Sequence, residues 1–238
     1  MTRIVHVAET GSTNADLLAL AKAGVEEGSW VRADRQAAGR GRQGRAWISP
    51  PGNFYASTLV RLRSGDPGAS GLAFAAAVAL EQVVRDLLHA RDAGTLCLKW
   101  PNDLLLSGEK LSGILLERAE DALVIGIGVN LAHHPDLPDR ATTSLAVHGV
   151  SVTPEAFLDR LAEAVGQWIS IWRNKGLAPV VDRWLARAHP VGTPITARVP
   201  DGAVVEGRFD GLALDGALRL RLADGAVRVM HAADIFLI

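Results

Sequence analysis

Cysteine is nearly missing from this 238-residue chain, with Cys97 standing alone. No internal disulfide can form, and thiols cannot by themselves build a metal site. No apolar run reaches the ~18 residues a membrane helix needs. The most apolar stretch, 72–84, is rich in alanine and broken by Glu81 and Gln82. No basic-then-apolar leader opens the chain, so cytoplasm is the expectation and no membrane partner is expected. Net charge is lacking too: 25 Lys plus Arg face 26 Asp plus Glu, a formal −1. General nucleic-acid binders are usually strongly basic, which counts against that class. No G-x-x-x-x-G-K-[ST] occurs, so Walker-type phosphate binding is absent. What is left is the composition of a folded protein, 48% hydrophobic and 21% charged. At this length it buries roughly 70–75% of its unfolded surface.

Hydrophobic periodicity predicts strands at 3–8, 29–34, 54–62, 95–100, 103–106, 110–118 and 122–131, with a hairpin turn at Gly108-Glu109. Helices are predicted after Thr13 or Asn14 as cap, over 67–89, after Thr153 with Pro154 in first position, and over 178–188. Beyond Pro190 the pattern changes to short alternating runs separated by Asp201-Gly202, Asp215-Gly216 and Asp224-Gly225. That spacing reads as a small antiparallel barrel. The expected fold is therefore α+β: a mixed sheet flanked by helices over 1–189, and a small β-barrel over 190–238.

Charge is uneven along the chain. Arg32, Arg35, Arg40, Arg42 and Arg45 face one acid, Asp34, within fourteen residues. Gly39, Gly41 and Gly44 match G-x-G-x-x-G, but a dinucleotide fingerprint must open a helix after a strand. Here the segment runs into Trp47 and Pro50-Pro51-Gly52. The reading that fits is a flexible cationic flap: glycine permits close approach to a ligand, and arginine suits carboxylate and phosphate. A second feature is Lys99-Trp100-Pro101-Asn102-Asp103, where proline ends a strand and presents Lys99, Asn102 and Asp103. In the third, Lys110 lies on the opposite strand face from Leu111, Gly113 and Leu115. The strand must twist or bulge if Lys110 and Gly113 are to touch one ligand. In the fourth, Gly126 and Gly128 leave one face bare before Asn130, for a ligand or for a packing partner.

Taken in order, Ser12-Thr13-Asn14, GRGRQGR at 39–45 with Trp47, KWPND at 99–103, Lys110-Leu111-x-Gly113-Ile114-Leu115-x-Glu117 and Gly126-x-Gly128-x-Asn130 resemble the biotin–protein ligases. The resemblance continues more loosely through Gly207-x-Phe209-x-Gly211 to nearly the end of the chain. It implies a class II synthetase-like catalytic domain that makes biotinyl-5′-AMP from biotin and ATP with Mg²⁺. Biotin then passes to one lysine of a carboxyl-carrier domain, with that of acetyl-CoA carboxylase as the expected acceptor.

By this resemblance Ser12, Thr13, Asn14 and Gln36 line the biotin pocket, and Arg40, Gly41 and Arg42 fold over biotin and the adenylate. Lys110 reaches the biotin carboxylate or the bridging acyl-phosphate oxygen, while Gly113 and Leu115 offer backbone to the ureido ring. Arg40, Arg42, Arg45, Trp47, Lys99, Asn102 and Asn130 form the nucleotide side. Lys110, Arg42, Lys99 and Asp103 carry the chemistry, Asp103 being a candidate to orient or deprotonate the incoming lysine. No metal ligands are named.

Two departures stand out. The Ser-Thr-Asn motif begins at residue 12, so the expectation is a ligase without the operator-binding domain of some members. Residues 132–145 lack a tryptophan that some members place near adenine. Lipoate–protein ligase is the rival enzyme, and an RNA module or a biotin store the non-catalytic alternatives. Dimerisation is left open by the small barrel and exposed strand edges.

Overall fold

A seven-stranded mixed sheet forms the larger part of the structure, a computed structural model that describes residues 3–199 and 202–237. Its strands are β1 (Ile4–Thr10), β2 (Trp30–Gln36), β3 (Phe54–Arg61), β4 (Leu96–Lys99), β5 (Asp103–Leu106), β6 (Glu109–Ala119) and β7 (Ala122–Val129). They lie in the order β1-β2-β3-β7-β6-β5-β4. β1 and β2 run parallel, and a parallel pair needs a crossover. Helix α1 (Thr13–Lys22) supplies it. The remaining neighbours are antiparallel.

The other helices are α2 (Gly71–Leu87), α3 (Ala90–Ala93), α4 (Pro154–Lys175) and α5 (Ala178–Leu185). Of the apolar positions at helical spacing in α2, Leu72, Ala76, Leu80 and Val83 are at most 5% exposed, while Leu87 near the end is half-buried. A Cβ on Gly71 would stand 2.7 Å from the Trp172 indole nitrogen, so α2 and α4 approach closely there. Thr153 caps α4 as expected, its hydroxyl accepting from Ala156 N at 3.2 Å, and Gly176 ends it at φ +82°.

The C-terminal part is a five-stranded antiparallel sheet of β8 (Pro194–Arg198), β9 (Val204–Leu212), β10 (Leu218–Arg221), β11 (Val227–Met230) and β12 (Asp234–Leu237). Their order is β11-β10-β9-β8-β12. Two of the Asp-Gly turns share one construction. The Asp215 and Asp224 carboxylates accept from the amides of Ala217 and Ala226, and the glycine that follows each is left-handed. Of the third turn, Gly202 is also left-handed, while Asp201 lies outside the described residues. Both sheets share one core. Ile195, Phe209 and Leu220 cluster with Leu72, Leu98 and Trp184, and Trp100 Nε1 donates to Gly216 O across the seam at 3.1 Å.

Four expectations are corrected. The β5–β6 turn is Ser107-Gly108, both at positive φ, and Glu109 opens β6. Ser12, not Thr13 or Asn14, is the N-cap of α1, because both neighbours turn their side chains into a buried polar network. The helices expected over 67–89 and 178–188 are shorter, at 71–87 and 178–185. The charge of Arg32 does not add to the basic run of 32–45, although the residue lies in a strand as expected. It is buried in β2 and held by Asp34 at 2.8 Å and Glu155 at 2.6 Å.

Candidate active site

All the site residues expected from the sequence line one cavity of about 310 Å³ between the C-terminal ends of β1 and β2, the β4–β5 hairpin, β6, β7 and strand β12. One end is rich in amides. The Gln36 carbonyl oxygen accepts from Thr13 N at 2.9 Å and from the Thr13 hydroxyl at 3.2 Å. The Gln36 amide donates to Ser49 Oγ at 3.2 Å. Asn14 accepts from Ser57 at 2.6 Å and donates to Glu117 at 2.7 Å. Here the bare face of β7 has its occupant: a Cβ on Gly126 would stand 2.2 Å from Asn14 Oδ1. Ser12 and Leu115 complete this end.

The other end is ionic. β4 and β5 pair Lys99 with Asp103, and Trp100-Pro101-Asn102 make the connection, with a cis bond before Pro101. Asn102 lines the cavity but its amide donates to Ile114 O at 2.7 Å, tying the hairpin to β6. The register of β5 on β6 shifts between Leu104 and Leu105, leaving Leu111 as an extra residue. This bulge turns Lys110 onto the face of Gly113, whose missing Cβ would stand 3.5 Å from the Lys110 ammonium. Lys110 Nζ then reaches Asp103 Oδ1 at 2.6 Å, both side chains largely buried. Lys99 lies nearby, 5.9 Å from the Phe236 ring centre. Burial pushes its ammonium below the ordinary lysine range, Lys110 and Arg140 push the same way, and Asp103 and Asp234 oppose them. Asn130, 2% exposed, uses its amide to hold Thr143 O, so it anchors the 130–145 segment against the site.

Residues 37–52 are more organised than a plain loop. Gln36 bridges to Ser49 and Arg40 to Ala46, and Gly41 N donates to Arg45 O at 2.7 Å. The tip turns through left-handed Gln43 and Gly44. Gly39 is required because any Cβ would stand 2.6 Å from Trp47 O. Trp47 descends from this flap onto β6 and β7: Cβ atoms on Gly128 and Gly113 would stand 2.6 and 3.3 Å from its ring. Its indole nitrogen is buried without a hydrogen-bond partner, and its ring centre lies 5.6 Å from Lys110 Nζ. Arg40 and Arg42 face the cavity, and burial pushes the Arg42 guanidinium below its ordinary value. Arg45 lines the cavity as well, but its guanidinium is engaged by Asp234 at 2.9 Å.

Residues 7–130 match the Biotin/lipoate A/B protein ligase family, and residues 191–238 the Biotin protein ligase C terminal domain. A biotin–[acetyl-CoA-carboxylase] ligase of Paracoccus denitrificans is 43% identical over 97% of this chain and 98% of its own. The chain belongs to the biotin protein ligase family. A Mycobacterium tuberculosis protein of the same name is 36% identical over 96% of this chain and 86% of its own. The fold agrees with that of a solved biotin protein ligase from Aquifex aeolicus in complex with biotin and ATP. There the TM-score is 0.84 at 21% identity, with both chains covered fully.

Sequence reasoning missed several residues of this ligase site. Ser57 and Glu117 belong to its amide-rich end. Glu117 closes the Lys110–Glu117 motif but was given no role there, and Ser57 lies in β3 with no motif around it. Arg140, Asp234 and Phe236 line the ionic end. No local pattern marks them, because the 130–145 loop and β12 meet the site only through the tertiary fold.

Proposed function

We propose that this chain condenses biotin with ATP to biotinyl-5′-AMP and passes the biotinyl group to a lysine of a biotin carboxyl carrier domain, such as that of acetyl-CoA carboxylase. One observation carries the reading: a single cavity joins an amide-lined end to a cation-lined end that holds Lys110. A ligand that fits has an uncharged hydrogen-bonding head, a carboxylate at its tail and a polyphosphate partner. The cavity volume lies at the lower end of the range for small-molecule sites.

In the first step a carboxylate oxygen attacks the α-phosphorus. An O–P bond forms as the bond to pyrophosphate breaks, and the leaving oxygen takes the electron pair. Two anions must meet, so positive charge placed beforehand lowers the barrier most. Lys110 is held by the bulge and by Asp103, Lys99 by the hairpin, and Arg40 and Arg42 by the flap. In the second step a neutral lysine amine attacks the acyl carbon and AMP departs. Asp103, beside Lys110, orients that amine or takes the proton it loses as the amide forms. The flap and Trp47 exclude water from the mixed anhydride.

Magnesium, when bound with the nucleotide, would supply neutralisation of phosphate charge. The described residues contain no group of three or more His, Cys, Asp or Glu placed to hold a metal. The ion would be carried mainly by phosphates and water; Asp103, Asp139 and Asp234 are the carboxylates that line the cavity. In the same reading residues 1–189 are the catalytic unit, residues 190–238 the C-terminal unit, and the reaction is cytoplasmic. No helix among the described residues is long and apolar enough to cross a membrane.

The test is mass spectrometry of a carrier domain after incubation with this protein, MgATP and either biotin or lipoate. Biotin on a single lysine is the expected product. An unmodified carrier, or lipoate preferred over biotin, refutes the proposal.

A further inference from the structure

The ionic contact between the flap and the C-terminal sheet is made across 189 positions of sequence, Arg45 NH2 to Asp234 Oδ1 at 2.9 Å. Asp234 opens β12, which is fixed to β8 over the register Asp234 to Arg198 through Leu237 to Ile195. The Asp234 side chain is 20% exposed and Arg45 39%, so the pair is partly sheltered and less screened than a surface pair. Arg45 is also braced within the flap, its Nε donating to Arg42 O at 3.3 Å and its carbonyl accepting from Gly41 N. Whatever holds Arg45 therefore holds the Arg40–Gly41–Arg42 arm. Two residues further along β12, Phe236 stacks under the Lys99 ammonium. The strand thus touches both a flap-borne and a sheet-borne cation of the site.

We propose that Asp234 is a positioning residue of the C-terminal sheet, and that Arg45 serves as the flap's half of an ionic latch to it instead of as a ligand of the adenylate. The latch sets where Arg40 and Arg42 stand when the intermediate is held, and gives the C-terminal sheet a part in the reaction. This rests on the ligase reading above. A direct adenylate ligand must stay cationic, whereas a latch needs only opposite charges at its two ends. Exchanging the charges separates the two roles.

The experiment compares the unaltered protein with Asp234→Asn, Arg45→Asp and the exchanged pair Arg45→Asp/Asp234→Arg. Amide hydrogen exchange by mass spectrometry is read over 39–47, with peptides of α2 as the control for intact folding. Release of biotinyl-adenylate formed from biotin and MgATP is read in parallel. Asp234→Asn is expected to speed both exchange and release about twofold to fivefold, the range of a partly screened ion pair. Arg45→Asp should do at least as much, and the exchanged pair should return both close to the unaltered protein. The latch is overturned if Asp234→Asn changes neither. It is equally overturned if the exchanged pair stays as loose as Arg45→Asp, or regains flap protection without regaining retention. An unaltered protein that forms no adenylate refutes the ligase reading instead, and leaves the exchange comparison standing on its own.

Discussion

Gly126 and Gly128 lie two residues apart on one face of β7, yet alanine at each should fail in a different way. At Gly128 the new methyl would stand 2.6 Å from the Trp47 ring, close to an ångström inside ordinary contact. Trp47 sits on the flap, which can lift, so the strain of about 1–3 kcal/mol for an overpacked contact goes into opening the flap. Gly128→Ala should leave the melting temperature nearly unchanged and weaken retention of biotinyl-adenylate by about fivefold to more than a hundredfold. At Gly126 the methyl would stand 2.2 Å from Asn14 Oδ1. Asn14 is 4% exposed, fixed in the first turn of α1 and bonded to Ser57 and Glu117. Nothing there can lift away, so the whole fold bears the cost. About 2 kcal/mol corresponds to a melting temperature lower by roughly 4–8 °C in a chain of this size. Differential scanning fluorimetry and a filter-retention assay with labelled biotin and MgATP read the two quantities. Equal losses of stability in both variants, or full retention of adenylate by Gly128→Ala, would refute the assignment of Trp47 to a separable flap.

Lys110→Ala removes the fixed cation next to the reacting carboxylate and leaves Asp103 buried without its partner. Pyrophosphate exchange should fall by about two to three orders of magnitude, the scale of losing one preorganised donor, and near-normal exchange would exclude that role. Arg42→Gly should loosen the flap and let adenylate escape, which shows as biotin on lysines of bystander proteins; unchanged acceptor selectivity would count against it. His189 supplies a pH test, because burial, then Lys99, push its imidazole below the ordinary value. Between its folded value and about 6.5 the unfolded chain binds more protons, so stability rises with pH through that window and is lost on acidification. His189→Asn should flatten that slope in urea melts at a series of pH values.

Much of the site was legible because its chemistry sits at strand ends that local patterns mark. KWPND announces a strand that proline terminates, and the structure puts Lys99 and Asp103 opposite each other at that end. On a regular strand Lys110 and Gly113 face opposite ways, which left a twist or a bulge as the means of bringing them together, and the structure has a bulge at Leu111. The bare face of Gly126 and Gly128 was legible as a space, but its occupants were not. Asn14 arrives from the first helix and Trp47 from the flap, and period-2 reasoning along one strand says nothing about what crosses it. Arg32 misled for a related reason. Its charge added to an apparent basic run, while its place in β2 delivers it to Glu155, 123 residues away. β12 could be read as a strand, but its neighbours could not. Pairing with β8 brings Asp234 and Phe236 to the site, and pairing is a property of topology.

The Lys110–Asp103 pair bears on how this site divides its work. Burying an ion pair is weak support for stability, since desolvation offsets much of the attraction, so its presence calls for another reason. The sheet supplies one. A bulge aims Lys110, a hairpin register sets Asp103 against Lys99, and neither depends on a loop finding its place. Charges held by register cost no reorganisation when the reaction occurs, which is the condition for electrostatic preorganisation. Arg40, Arg42 and Arg45 stand on the flap, and their positions depend on Trp47 seating over two glycines and on the contact with Asp234. Among the described residues six cationic side chains line the cavity against three carboxylates, although the whole chain is close to neutral. That excess matches an anionic ligand, and the split between strand and flap lets it enter. Were all six fixed, substrates would face a closed cationic box; were all six mobile, the charge would have to be assembled at every turnover. On the proposed reaction, with the sheet-borne cations already in place, closing of the flap would add Arg40 and Arg42 and trap the intermediate.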